Sequence, residues 1–204
     1  MKIYYLFILV FLCCGTIIRA QNITPVQAAF MRSYANEKNK DYIKAAEELK
    51  KVYSADSYEQ NLRLGWLLFN ALKLDESVSY YTKAIELKPK SIEPRLGIVY
   101  PLSTQQKWDD VLKHYNAILL IEPNNTLVNY YTGLIYYNTS KFNEALKCFN
   151  TFLGLYPFDY DAVIMSAWTN LKLGKKEEAK MLFQRTLLYN PGDVSALEGI
   201  AAAK

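Results

Sequence analysis

Ile85-Glu86-Leu87-Lys88-Pro89 is an apolar helix end closed by a proline, and the chain returns to it at a fixed interval. Leu119-Leu120-Ile121-Glu122-Pro123, Leu153-Gly154-Leu155-Tyr156-Pro157 and Leu187-Leu188-Tyr189-Asn190-Pro191 follow, each proline 34 residues after the last. Proline lacks the N–H that a helix interior needs, and its ring clashes with the preceding turn, so each one marks a stop. Other positions keep step. Eight residues before the prolines stand the rings of Tyr81, Tyr115, Phe149 and Phe183, and twelve before stand the smaller Ser77, Val111, Ala145 and Ala179. Twenty-four before come Gly65, Gly133 and Ala167, whereas Gly97 lies 26 before Pro123. Taken as the counterpart of Gly65, Gly97 implies two extra residues in that copy, around Ser103 to Lys107.

The pattern resembles the tetratricopeptide repeat, whose period is 34 and whose unit is a pair of antiparallel helices. Leu64-Gly65, Leu68, Ser77, Tyr81, Ala84 and Pro89 fall where that family places its packing residues, as do Gly133, Tyr136, Ala145, Phe149 and Pro157. The resemblance covers Tyr58 to Asp193. It implies an all-α fold, a right-handed superhelical solenoid of antiparallel helix pairs. The expected organisation is a signal segment at 1–20, a degenerate helix pair at 21–57, four repeats at 58–91, 92–125, 126–159 and 160–193, and a capping helix at 194–204.

The degenerate first pair has its own local signals. Thr24-Pro25 supplies an N-cap followed by proline at the first helical position, Asn39-Lys40-Asp41 makes a turn, and Tyr42, Ala45, Leu49 and Val52 recur at helical spacing up to Tyr53. Terminal units of a repeat array are irregular because one face meets water. The 17 tyrosines serve such an array as wedges between helices, apolar in the ring and polar at the hydroxyl.

Lys2 precedes an apolar run from Ile3 to Leu12 that trails through Cys13-Cys14 to Arg19-Ala20-Gln21. The run is shorter than the roughly 20 residues of a membrane-spanning helix and reads as a secretory signal cleaved after Ala20. The Ala-Gln junction is similar to those of exported proteins of Bacteroidetes-type bacteria. Lipidation at Cys13 or Cys14 is the competing reading, with membrane contact as its consequence, although Leu12 stands where a lipoprotein signal carries Gly or Ala. Retention as an uncleaved anchor is the third. Of the 24 Lys and Arg, Lys2 and Arg19 lie in this segment, so 22 remain against 20 Asp and Glu. That balance lacks the basic face that nucleic-acid binding calls for. Alternating charges at Lys38 to Lys51 and Lys172 to Lys180 read as solvated helix faces. Cys148 is left as a single cysteine, so an intramolecular disulfide is excluded after cleavage, and its place beside Phe149 reads as a packed thiol. The sequons at Asn22, Asn124 and Asn138 bear only on a eukaryotic host.

The resemblance also implies where binding occurs, because the first helix of every pair lines the inner surface of such a solenoid. Residues beside the packing glycine and one turn to either side are then the candidates: Leu62, Trp66, Phe69 and Asn70, then Tyr130, Leu134, Tyr137 and Asn138, and in the last repeat Trp168 with Ile164, Leu171 and Lys172. Exposed aromatics on a concave surface anchor a partner's side chains or an inserted helix. The alternative for Trp66 and Trp168 is packing between repeats. Some members of the family clamp C-terminal carboxylates with Lys, Arg and Asn on these helices, but this chain has Leu62 and Trp66 where Lys and Asn are needed. The unit from Ser91 to Asn124 departs most from the pattern: Pro94 suits a first helical turn, while Pro101 falls deep in a helix, removes a bond to Gly97 and predicts a kink. Gly97 and the two-residue extension would absorb the misfit, either as a tolerated irregularity or as a functional feature that widens the groove between Phe69 and Tyr130.

Catalysis finds little support. His114 is the sole histidine, and there is no glycine-rich phosphate loop or paired-cysteine metal motif. The expectation is a protein that is not an enzyme and needs no cofactor or metal, a scaffold that holds a peptide or helix of a protein partner, in the periplasm or cell envelope. Self-assembly through the solenoid ends, giving a homo-oligomer, is the alternative.

Overall fold

The computed structural model describes residues 23–204. The expected signal segment, with Cys13, Cys14, the Ala20 junction and the Asn22 sequon, lies outside the described residues. Among those described there are eleven α-helices and no strand. Ten form antiparallel pairs: α1 (Pro25–Lys38) with α2 (Tyr42–Lys50), α3 (Tyr58–Asn70) with α4 (Leu74–Leu87), α5 (Glu93–Thr104) with α6 (Trp108–Leu119), α7 (Thr126–Asn138) with α8 (Phe142–Leu155), and α9 (Tyr160–Lys172) with α10 (Lys176–Thr186). The eleventh, α11 (Val194–Ala202), packs on α9 and α10. No helix among the described residues is long and apolar enough to cross a membrane.

First and second helices start differently. Thr24, Ser57, Asn125, Asp159 and Asp193 cap the first helices α1, α3, α7, α9 and α11, each side chain accepting from a backbone N–H in the first turn. Thr24 and Gln27 close a full capping box. Each second helix instead follows a three-residue turn whose middle residue has positive φ: Lys40 (59°), Leu72 (58°), Gln106 (58°), Ser140 (60°) and Gly174 (75°). The N–H of Leu72 reaches the Phe69 carbonyl at 2.9 Å and that of Lys73 reaches Leu68 at 2.8 Å. That pair of bonds is the Schellman closure, which satisfies carbonyls the helix end would orphan.

These turns correct the register of the second repeat. Leu72, Gln106, Ser140 and Gly174 are spaced by 34 throughout, so the unit from Ser91 to Asn124 carries no extra residues and no extension widens the groove. The residue 24 before Pro123 is Val99, buried like Gly65, Gly133 and Ala167. Gly97 does a different job. A Cβ on Gly65 would stand 2.8 Å from the Tyr81 ring of its own pair, whereas a Cβ on Gly97 would meet the same ring from the next pair at 2.3 Å. The ring is held between two glycines. Gly133 meets Phe149 within its pair, and Gly199 meets Phe183 from the following helix.

α5 continues through the buried Pro101 as far as Thr104. Pro101 cannot donate to Gly97, but its own carbonyl accepts from Gln105 at 3.1 Å.

The links between pairs are pinned by polar side chains at one recurrent position. Asn61 Nδ2 donates to the Ala55 carbonyl at 3.0 Å, Arg95 Nη2 to Pro89 at 3.1 Å and Asn129 Nδ2 to Pro123 at 2.9 Å. Each reaches back six residues. Val163 occupies that place in the last pair, and there Arg185 bonds the Pro157 carbonyl instead. Within pairs, the buried Ser77 hydroxyl donates to the Gly65 carbonyl at 2.7 Å, which explains a polar residue where other units have Val or Ala.

Each second helix packs on the first helix of the next pair, and α3 also touches α5, α7 touches α9 and α9 touches α11. The first helices therefore share one side of the stack, with α3 against α5 and with α7, α9 and α11 in contact along it. The core follows the stacking in three clusters, around Leu49 and Leu64, around Ile98, Tyr115 and Val128, and around Ala167 and Phe183. Cys148 is buried, and burial pushes its thiol up to about 11.

Candidate functional site on the layer of first helices

One residue follows the small packing residue in every pair: Tyr34 after Ser33, Trp66 after Gly65, Tyr100 after Val99, Leu134 after Gly133 and Trp168 after Ala167. Four of the five are aromatic. In the first three pairs they are open to solvent, Tyr34 at 51%, Trp66 at 38% and Tyr100 at 53% exposure. Phe69 bridges two of them, its ring centroid 6.3 Å from that of Trp66 and 5.6 Å from that of Tyr100.

Two hollows open along this stripe. Between α3 and α5 lies a cavity of about 530 Å³ lined by Tyr34, Tyr58, Leu62, Trp66, Tyr81 and Tyr100, with Glu59 and Glu93 at its side. Between α5 and α7 lies a more apolar cavity of about 360 Å³, lined by Leu96, Val99, Tyr100, Leu127, Tyr131 and Ile135. Both fall within the size range of small-ligand and side-chain pockets. A depression of about 550 Å³ elsewhere, among α8, α9 and α10, is bordered by Asn150, Lys175, Glu178 and Arg185.

The twelve residues expected to line the groove separate into distinct environments. Leu62, Trp66 and Phe69 line or edge the open stretch. Trp66 Nε1 donates to Glu37 at 2.9 Å, and the second oxygen of that carboxylate bonds Arg63. The Arg63 bond is the main reason why the Glu37 carboxyl lies below its usual range. Asn70 turns its amide to the Trp66 carbonyl at 2.9 Å, a bond to its own helix. Tyr130 is half-buried against Tyr131, Phe149 and Phe152. Its hydroxyl titrates above the usual range because of burial, with Asp161 and Asp159 adding to it. Tyr137 sets its ring edge-on to Phe142 at 5.6 Å, Leu134 is half-buried and Asn138 is exposed. Trp168 packs edge-on to Phe183 at 5.0 Å and donates to Ser195 at 2.9 Å. Ile164 is buried, Leu171 half-buried and Lys172 exposed.

Tyr34, Leu96, Tyr100, Leu127 and Tyr131 escaped the sequence reading. The signal for Tyr100 was present: it stands 34 residues after Trp66. Matching glycines instead of prolines shifted the second repeat by two residues and hid it.

His114 and Cys148 line neither hollow. Burial, reinforced by Arg95 and Lys113, lowers the His114 imidazole to about 4, so it is neutral near pH 7. No group of His, Cys, Asp and Glu among the described residues is arranged to hold a metal ion.

Family models described as tetratricopeptide repeat match residues 61–91 and 130–187. A tetratricopeptide repeat-containing protein of Bacillus subtilis, YpiA, is 25% identical over 142 residues, which cover 69% of this chain and 33% of the relative. The chain thus spans about a third of that relative's length. Among solved structures, a tetratricopeptide repeat protein from Parabacteroides merdae superposes with a TM-score of 0.74 at 22% identity, covering 88% of this chain and 72% of the other. A MamA protein from Desulfovibrio magneticus gives 0.69 at 16% identity, covering 83% and 97%. At these identities the two structures are similar in fold.

Proposed function

Because the chain is a tetratricopeptide-repeat protein, with the fold of a protein-interaction scaffold, we propose that it is a non-catalytic scaffold whose first-helix layer holds a peptide or helix of a partner protein. The observation that carries this reading is the open aromatic stripe Tyr34, Trp66, Tyr100 and Tyr131 beside two hollows. Surface aromatics cost water-exposed apolar area unless a partner covers them, and large rings set beside pockets are the residues on which binding energy concentrates. The two hollows adjoin at Leu96 and Tyr100, which line both, and as neighbours they suit successive side chains of an extended segment or one helix face.

Export fits this scaffold: the sequence of residues 1–20 suits a signal, and the chain from Gln21 onwards needs no disulfide. N-terminal sequencing of protein recovered from the cell envelope is expected to start at Gln21. A start at Met1 in the envelope fraction would mean a retained anchor in place of cleavage, and recovery only from the cytoplasm overturns export. Exposed Val26 and Met31 on α1 and Val194 and Leu197 on α11 favour a second reading, in which copies stack end to end. Light scattering separates it, since stacking raises the mass with concentration.

The direct test is capture of partners from the native cell by tagged protein, beside a Trp66→Ala/Tyr100→Ala variant. Both side chains are partly exposed, so the variant is expected to stay folded. A partner retained by the wild type and lost by the variant supports the inner face as the site. Identical partners with both overturn it.

A further inference from the structure

Arg63 shows how this chain holds a cation on its inner layer. Its guanidinium lies 3.9 Å over the Tyr34 ring of the preceding first helix and bonds Glu37 one turn further along that helix. A planar, weakly hydrated guanidinium suits both contacts, face to ring and fork to carboxylate. Thirty-four residues later the position of Arg63 is taken by Gly97. The preceding helix still offers a ring there, since Trp66 is the counterpart of Tyr34, but position 97 itself supplies no cation. Arg63, already engaged by Glu37, is the single basic residue among those lining the α3–α5 hollow.

What lines that hollow is the chemistry of a cation site. Tyr58, Trp66 and Tyr100 border it with aromatic rings, and Glu93 borders it with a carboxylate that has no ion-pair partner among the described residues. Glu93 accepts one hydrogen bond, from the Tyr58 hydroxyl at 3.3 Å, which leaves lone pairs free. At the edge, Lys88 places its ammonium 4.0 Å over the Tyr58 ring and 3.6 Å from Glu59. Tyr81 also lines the hollow, and its hydroxyl hydrogen-bonds none of the described residues. Its oxygen is not sealed in the core but open toward the hollow, where it can accept or donate.

We propose that the hollow between α3 and α5 is a subsite for the guanidinium of an arginine on the bound protein segment, stacked on the Trp66 and Tyr100 rings with its N–H groups on Glu93 and the Tyr81 oxygen. This rests on the reading of the first-helix layer as the binding face and specifies the partner's chemistry. The arginine would take the place that Arg63 fills one repeat earlier. The apolar hollow between α5 and α7 then receives a neighbouring apolar side chain of the same segment.

The test uses small probes on the purified protein: N-acetyl-arginine amide, its neutral isostere N-acetyl-citrulline amide, N-acetyl-lysine amide and N-acetyl-leucine amide. The readout is the indole N–H resonance of Trp66, one of three tryptophans. The arginine probe is expected to shift that resonance and to bind about fivefold or more tightly than citrulline, the scale of one charged stacking contact. Glu93→Gln removes this preference, and Glu198→Gln, on exposed α11, preserves it. Equal binding of arginine and citrulline, a preference that survives Glu93→Gln, tighter binding of lysine, or no response to arginine each overturns the proposal. A leucine probe that perturbs Tyr100 and Tyr131 while arginine does nothing overturns the cation subsite and leaves the apolar groove standing.

Discussion

Trp66 and Trp168 occupy the same place in their repeats, 102 residues apart, and the molecule uses them in opposite ways. Trp168 lies against Phe183, and its N–H is satisfied by Ser195 of α11, so the following helix closes over it. Trp66 gives its N–H backward to Glu37 of α1 and leaves its ring beside a hollow that α5 does not fill. Both α5 and α11 bring a glycine to the ring of the preceding pair, Gly97 to Tyr81 and Gly199 to Phe183. The close approach is thus common to both junctions, and the difference lies in what faces the indole. Repeat position sets where a side chain starts; the neighbouring helix sets whether it becomes core or surface.

The sharpest way to break this comparison is to truncate both indoles. Trp168→Ala removes a ring packed between pairs and leaves Ser195 without its donor, so a loss of about 3 kcal/mol is expected, the lower part of the range for large-to-small core changes. Trp66→Ala should cost about 1 kcal/mol or less, because its ring already meets water. Chemical denaturation of the two variants measures both losses. Equal losses would mean that Trp66 is structural and would remove the central residue of the proposed site.

A middle-sized effect probes the links that hold the pairs in series. Asn129 lies almost wholly buried and donates to both the Pro123 and Asn125 carbonyls at 2.9 Å. Asn129→Ala strands two acceptors, and a loss of about 1–3 kcal/mol follows from leaving buried polar groups unpaired. Arg95 makes the same backward reach at the preceding link from a longer side chain. Arg95→Ala should cost less than Asn129→Ala in the same denaturation series, since its contact is exposed. A reversed order would show that the link before α5, not the one before α7, carries the stack.

Much of the fold was legible because its determinants are local and repeated. The prolines spaced by 34 mark the ends of the second helices from α4 to α10, although α5 runs on through Pro101, and a ring eight residues earlier has one place to go, so helix pairs, rings and small residues were readable from spacing. The register of the second repeat was not readable from glycine. A glycine answers to whatever approaches it, and Gly97 answers to Tyr81 of the pair before, not to its own. The candidate site was legible only as a face. Which of Trp66, Tyr130, Tyr137 and Trp168 stay open depends on Phe142, Phe149, Phe183 and Ser195, all on other helices, and no periodicity along one strand of sequence encodes those encounters.

The smallest effect comes from the turns, where the two kinds of pair again differ. Gly174 adopts its positive φ of 75° without a Cβ, whereas Leu72 holds 58° with a full side chain that is 76% exposed and meets little in return. An L-residue in this region costs about 1–2 kcal/mol, because its Cβ crowds the following carbonyl. Glycine avoids that cost but has more freedom to lose on folding, roughly 0.5–1 kcal/mol. Leu72→Gly is therefore expected to stabilise the fold by about 0.5–1 kcal/mol, and Gly174→Ala to destabilise it by a similar amount. A pair of thermal melts reads both. If Leu72→Gly lowers the melting temperature, the leucine side chain is doing something at the turn beside α3, next to the open half of the first-helix layer, and the partner surface would have to be extended to include it.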